Sequence, residues 1–174
     1  MRFYPVLLIL VVLLAACNPT DPPTPTALPP TTAPTVNTYT NALLGIRLEY
    51  PLGWAVAEAD GQIVFTNESD QVGMEILYGV GESVIPVADI VNEFKSVSVG
   101  VGNRPILSEG PVSLAGGVVE GIRLDLGPDA VDGEPAANSV EVFTIILDRN
   151  VQFRTFGDIP AFDAMLNSLS LTTY

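Results

Sequence analysis

The chain has no histidine, a single cysteine, and only seven lysines and arginines against 20 aspartates and glutamates. Each shortage excludes something. Without imidazole there is no Ser-His-Asp or Cys-His arrangement and no histidine metal ligand, and one thiol makes neither an intramolecular disulfide nor a thiolate cluster. A formal net charge of −13 over 174 residues argues against a nucleic-acid partner, because such binding depends on Lys and Arg neutralising phosphates. Apolar residues are not scarce. They make up 48% of the chain, enough for a core despite the acidity, and the length predicts one domain of ordinary size.

A long hydrophobic run is also missing. Val6 to Leu14 is unbroken and apolar, but a spanning helix needs roughly 20 such residues, so the run has the size of a signal-peptide core behind the single positive head residue Arg2. Leu14-Ala15-Ala16-Cys17 follows at once. This resembles the lipobox of bacterial lipoproteins, in which small residues precede a cysteine that is lipidated on sulfur and becomes the new N-terminus. The resemblance implies cleavage after residue 16 and attachment of the mature chain to a membrane through acyl chains on Cys17, facing the extracytoplasmic side. Two or more chains hold stably where one does not. The alternative, an ordinary secretory signal with a cysteine near its cleavage site, keeps the address and loses the anchor.

Seven prolines and eight threonines fill most of the stretch from Asn18 to Thr40, with Asp21 its only charge. Such a composition cannot bury enough apolar area to offset its ordering entropy, and proline biases it toward extended polyproline-like conformations. Residues 17–37 therefore read as the lipidated cysteine and a semi-rigid spacer of about 3.1 Å per residue. The folded domain is expected over 38–174.

Its texture is mostly strand. Ile46, Leu48 and Tyr50 alternate with Arg47 and Glu49, and Tyr50-Pro51-Leu52-Gly53 then suits a type I turn. Trp54 to Glu58 and Gln62 to Thr66 flank Ala59-Asp60-Gly61, a hairpin signal, and Val72 to Tyr78 alternates again. After Pro86 the period changes. Val87, Ile90, Val91, Phe94 and Val97 fall at helical spacing. Strands follow at Pro105 to Ser113, Val118 to Leu126, Val140 to Leu147 and Val151 to Phe156, the last two joined by Asp148-Arg149-Asn150. The third of these is apolar on both faces in its second half, which predicts an interior place in the sheet. Phe162, Met165, Leu166 and Leu169 behind Asp158 and Pro160 predict a closing amphipathic helix. Trp54 and Phe162 are expected in the core. The sum is an α+β fold, an antiparallel β-sheet flanked by helices.

The stretch ALLGIRLEYPLGW from Ala42 to Trp54, the hairpin ending in IVFTN and the terminal FDAMLNSLSL resemble PsbP-like domains. The resemblance implies an α/β/α sandwich, extracytoplasmic and often lipid-anchored, that acts in binding or in assembly of complexes rather than in catalysis. This chain differs from photosynthetic members in lacking His and having few basic residues, which speaks against a photosystem role.

Two other patterns invite a chemical reading. Gly79-Val80-Gly81 and Gly100-Val101-Gly102 are halves of a dinucleotide fingerprint, but the place of the third glycine holds Val84 and Pro105 respectively, so both read as loop glycines and no cofactor is expected. Asp129, Asp132 and Glu134, adjoining Asp125, concentrate carboxylates in a loop punctuated by Pro128, Gly133 and Pro135. They are weak candidates for a Ca²⁺ site; their spacing is not that of an EF-hand, and a solvated loop is the simpler reading. Two functions remain open: a lipid-anchored domain that binds an envelope protein or a small ligand, and an envelope enzyme using carboxylates, with or without a divalent cation.

The anchor is testable by itself. Cys17→Ser should abolish lipid incorporation and release or misprocess the protein, as labelling with a fatty-acid analogue and membrane fractionation would show; a processed variant that fractionates like wild type would refute the assignment.

Overall fold

The computed structural model describes residues 35–81, 83–99, 104–128 and 137–172. Cys17, the spacer up to residue 34, the second glycine triplet and Asp129, Asp132 and Glu134 lie outside the described residues.

Among the described residues, ten strands and two α-helices follow in the order β1 Val36–Asn41, β2 Ile46–Pro51, β3 Ala55–Ala59, β4 Gln62–Thr66, β5 Val72–Tyr78, α1 Val87–Phe94, β6 Ile106–Leu114, β7 Val119–Leu126, β8 Ser139–Ile146, β9 Arg149–Phe156, α2 Ile159–Asn167 and β10 Ser170–Leu171. All their pairings are antiparallel. They form not one sheet but two: β1-β2-β10, and a seven-stranded sheet in the order β3-β4-β5-β9-β8-β7-β6. The expected domain start at Thr38 falls inside β1, because Val36 and Asn37 already pair with Pro51 and Tyr50.

The large sheet has two differently covered faces. Ile63, Phe65, Met74, Ile76, Val142, Val151 and Phe153 point into the main core, which they share with Ile46 and Leu48 of the small sheet and with Phe162, Met165 and Leu166 of α2. Tyr39 stands edge-on to Phe65, ring centroids 5.3 Å apart, so the two sheets meet through aromatic contact as well as aliphatic packing. On the opposite face α1 lies over β7 and β8, where Val91, Leu124, Leu126 and Phe143 make a second, smaller core. Phe94 packs against Phe143 at 5.1 Å between centroids.

Helix α2 starts where the sequence says it should. The Asp158 side chain accepts from the Ala161 amide at 3.2 Å and Pro160 occupies the first turn, which together satisfy an orphan donor and pre-set the helical φ. Its end is tied to β2: Ser168 Oγ accepts from the Glu49 amide at 2.8 Å and donates to the Met165 carbonyl at 2.7 Å.

Several local expectations differ from the structure. The opening turn is Pro51 to Trp54, closed by the Trp54 amide donating to the Pro51 carbonyl, with Gly53 at φ +86; positive φ at the third position is the type II pattern, not type I. Trp54 is half-buried rather than plugged into the core. Its indole ring lies across Gly73, filling the space an added Cβ would need, and it stands just before β3, an edge strand of the large sheet. The β8–β9 link is not Asp148-Arg149-Asn150 but the two residues Leu147 and Asp148, at φ 45 and 56; Arg149 and Asn150 already belong to β9. Helical spacing does not carry through to Val97 either. A π-turn spans Lys95–Val99, and its wider winding rotates Val97 out of the core stripe, leaving it 60% exposed. Beyond the expected closing stripe, Ser170 and Leu171 form β10, which pairs with β2.

Phe162 is fully buried. Phe162→Ala should therefore destabilise the domain by about 3–5 kcal/mol, measured by denaturant unfolding; a loss under about 1 kcal/mol would contradict the docking of α2 on the two sheets.

Candidate functional site

Register brings together residues that are far apart in the chain. Arg154 on β9 stands opposite Glu75 on β5 and opposite Glu141 on β8, so one guanidinium lies between two carboxyl groups on three adjacent strands. All three are on the face that carries α1. Glu75 is 5% exposed and Glu141 2%. Arg154 Nε donates to Glu75 Oε2, and Gln62 Nε2 donates to Glu75 Oε1; Arg154 also lies over the Phe156 ring, 5.3 Å from its centroid. Glu141 receives no such ion pair among the described residues. Its hydrogen bond comes from Gln152 Nε2, at 2.8 Å to Oε2.

The electrostatic result follows from that asymmetry. Burial pushes the Glu141 carboxyl up from the usual 4.5 to about 7, the Gln152 bond and the more distant charges of Arg154 and Arg104 pull it partly back, and Glu75 adds to the rise. Glu75 holds the guanidinium directly, while Glu141 is poised between acid and anion near neutrality.

Next to this charged rung lies a mostly apolar one: Leu77, Gln152, Phe143 and Ile122 stand opposite one another on β5, β9, β8 and β7. Helix α1 covers its β7–β8 end and leaves the rest open. Two depressions result, of about 210 Å³ and 280 Å³, and both are lined by Ile90, Phe143 and Gln152. They form one groove along the flank of α1. One end is built by the β5–α1 connection, which Asn150 clamps by accepting from the Ile85 amide at 2.8 Å and donating to the Ile85 carbonyl at 2.7 Å. Arg149 Nη1 donates to the Gly79 carbonyl at 3.0 Å and holds the same connection at its start. Gly79 and Gly81 are loop glycines here, as the sequence suggested.

The residues singled out in the sequence do not converge on this groove. Asp125, on β7, faces away from it: Arg123 Nε donates to Oδ1 at 2.9 Å and Ser108 Oγ to Oδ2, and Arg123 also pairs with Asp163 of α2 at 2.6 Å. Both oxygens of Asp125 are thus engaged within the fold. Among the described residues no group of three or more Asp, Glu, His or Cys is placed to hold a metal ion, and no helix is long and apolar enough to cross a membrane. Sequence reasoning missed Glu75, Glu141 and Arg154. The signal was present in part, since Glu141 interrupts a largely apolar strand, but only strand pairing reveals its partners.

These two antiparallel sheets with few helices define a PsbP-like fold. The solved structure of cyanobacterial PsbP (CyanoP) from Synechocystis superposes with a TM-score of 0.56 at 12% identity, covering 84% of this chain and 98% of that one. No family model matches the chain, and no curated protein does.

The raised Glu141 value has a definite sign in stability. The folded state holds the proton up to about pH 7 while an unfolded chain releases it near 4.5, so stability falls as pH rises between those values. The full cost above pH 7 is about 3 kcal/mol. Glu141→Gln, which retains an acceptor for Gln152, should remove this slope and be the more stable protein at about pH 8, with the difference vanishing below about pH 4.5; urea unfolding across that range measures it, and parallel curves for the two proteins would contradict the assignment.

Proposed function

We propose that the chain is a lipoprotein attached to a membrane through Cys17, with the Pro/Thr-rich spacer holding an α/β/α sandwich of the PsbP type on the extracytoplasmic side, and that this domain binds or helps assemble another envelope component without chemistry of its own. The observation that carries the reading is the open groove along α1, a concave surface whose floor mixes Leu77 and Phe143 with Gln152 and whose wall the strand order and the Asn150 clamp create together. Behind a signal run ending in Leu14-Ala15-Ala16-Cys17, such a surface would be available to other components of the membrane to which the protein is tied. A folded partner and a small ligand are both compatible with the groove's size, and the partially exposed helix flank favours the partner.

The carboxylate-enzyme reading is weaker. It needs substrate access to at least two acid groups, and neither Glu75 nor Glu141 lines the two depressions. Their role in this proposal is to hold the floor of the groove in register.

A photo-crosslinking amino acid at Val97, on the groove, and another at the exposed Val118, on the β6–β7 turn, distinguish docking from chance contact. In native membranes, Val97 should yield a discrete adduct that Val118 does not, and Cys17→Ser should reduce it. No adduct, or the same adducts at both positions, would overturn the proposal.

A further inference from the structure

We infer that the groove along α1 receives a basic, apolar segment of a partner protein, its lysines or arginines over Asp89 and Glu93 and its apolar side chains on Ile90, Phe94 and Val97. The inference rests on the docking site proposed above and names the chemistry of what docks there.

The helix supplies two parallel stripes. Ile90, Phe94 and Val97 line the groove; Val97, turned out of the core stripe by the π-turn, adds an exposed apolar side chain to the groove wall. Alongside it, Asp89 and Glu93 are four residues apart and so share one surface row; both are exposed, and neither takes part in an ion pair among the described residues. Glu93 itself lines the trough, and Asp89 stands one turn before it in the same row, so the helix flank beside the groove is acidic.

Among the described residues no cationic side chain answers that flank. Lys95, next on the same helical segment, is drawn away to Glu109 of β6 at 2.8 Å. Arg154 is bound to Glu75, Arg123 to Asp125 and Asp163, Arg149 to the Gly79 carbonyl and Arg104 to the Gly127 carbonyl. Arg47 belongs to β2 of the other sheet. The complement of an acidic flank in a chain of net charge −13 is a basic partner; a second copy would bring the same charge excess to the contact and be repelled.

The Val97 crosslink in native membranes supplies the assay, with the full chain throughout. Asp89→Asn combined with Glu93→Gln should lower the adduct roughly threefold to tenfold at unchanged unfolding midpoint. Raising salt from about 50 mM to about 300 mM should lower it for wild type and hardly for the double variant. A soluble competitor peptide in which Lys alternates with Leu should displace the adduct, and one in which Glu alternates with Leu should not; Glu93→Lys should weaken that preference even if the double variant folds poorly. If the Val97 adduct forms but ignores salt, both substitutions and the choice of peptide, the groove docks a partner that is not basic and this inference fails alone. If Val97 gives no adduct in wild type, the docking site itself is wrong and both readings fall.

Discussion

The seating of β9 between β5 and β8 in a single register governs most of what this domain does. Phe153 points from β9 into the main core and Arg154 points to the opposite face. A slip of one residue would put a guanidinium among Ile76, Val142 and Phe162 and turn a phenyl ring toward the polar rung, so the apolar pattern strongly specifies the pairing. Both of its neighbours carry the same two-sided code: Ile76 against Glu75 on β5, Val142 against Glu141 on β8. Three adjacent strands thus agree on which face joins the main core.

That agreement places two carboxyl groups where little water reaches, with a half-buried guanidinium between them. Such an arrangement is a poor source of net stability, because desolvation offsets much of the Coulombic attraction. What it does supply is definition. With Glu75 taken by Arg154 and Gln62, Glu141 is left to Gln152, so side-chain positions on the floor of the groove are tied to strand register, and the proton on Glu141 is tied to both. The groove itself is the part of this face that α1 leaves uncovered. Helix α1 packs on β7 and β8, its start tied to β9 through Ile85 and Asn150 and its end drawn toward β6 through Lys95 and Glu109, so part of the β9 and β5 surface is left beside it.

Some elements were legible because a local signal and the tertiary demand coincide. The helix over Ile159–Asn167 has its cap, its proline and its apolar stripe all within the same short segment, and the interior position of β8 follows from apolar residues on both faces. Other features were hidden because no local rule marks them. A hairpin turn at Leu147-Asp148 with both residues at positive φ is the geometry for which Asn-Gly is the usual signature, and neither residue announces it; the Leu147 side chain rests over Gly45, where a Cβ would come within 2.5 Å of it. The split into two sheets was equally invisible, since β1 and β10 depend on β2, a strand separated from β10 by most of the domain.

By itself, the sequence determined which histidine- and thiol-based chemistries are out of reach, the apolar run and cysteine within residues 1–17, the Pro/Thr-rich composition of residues 18–35, and the order of most strands and helices, because each depends on composition or on contacts between near neighbours. Only the tertiary structure decided which acids are buried, which arginine answers which carboxylate, and where the sheet is left uncovered. Those outcomes depend on pairing between strands far apart in the chain, 79 positions in the case of Glu75 and Arg154, and alternation along one strand says which residues share a face but never which strand lies beside it.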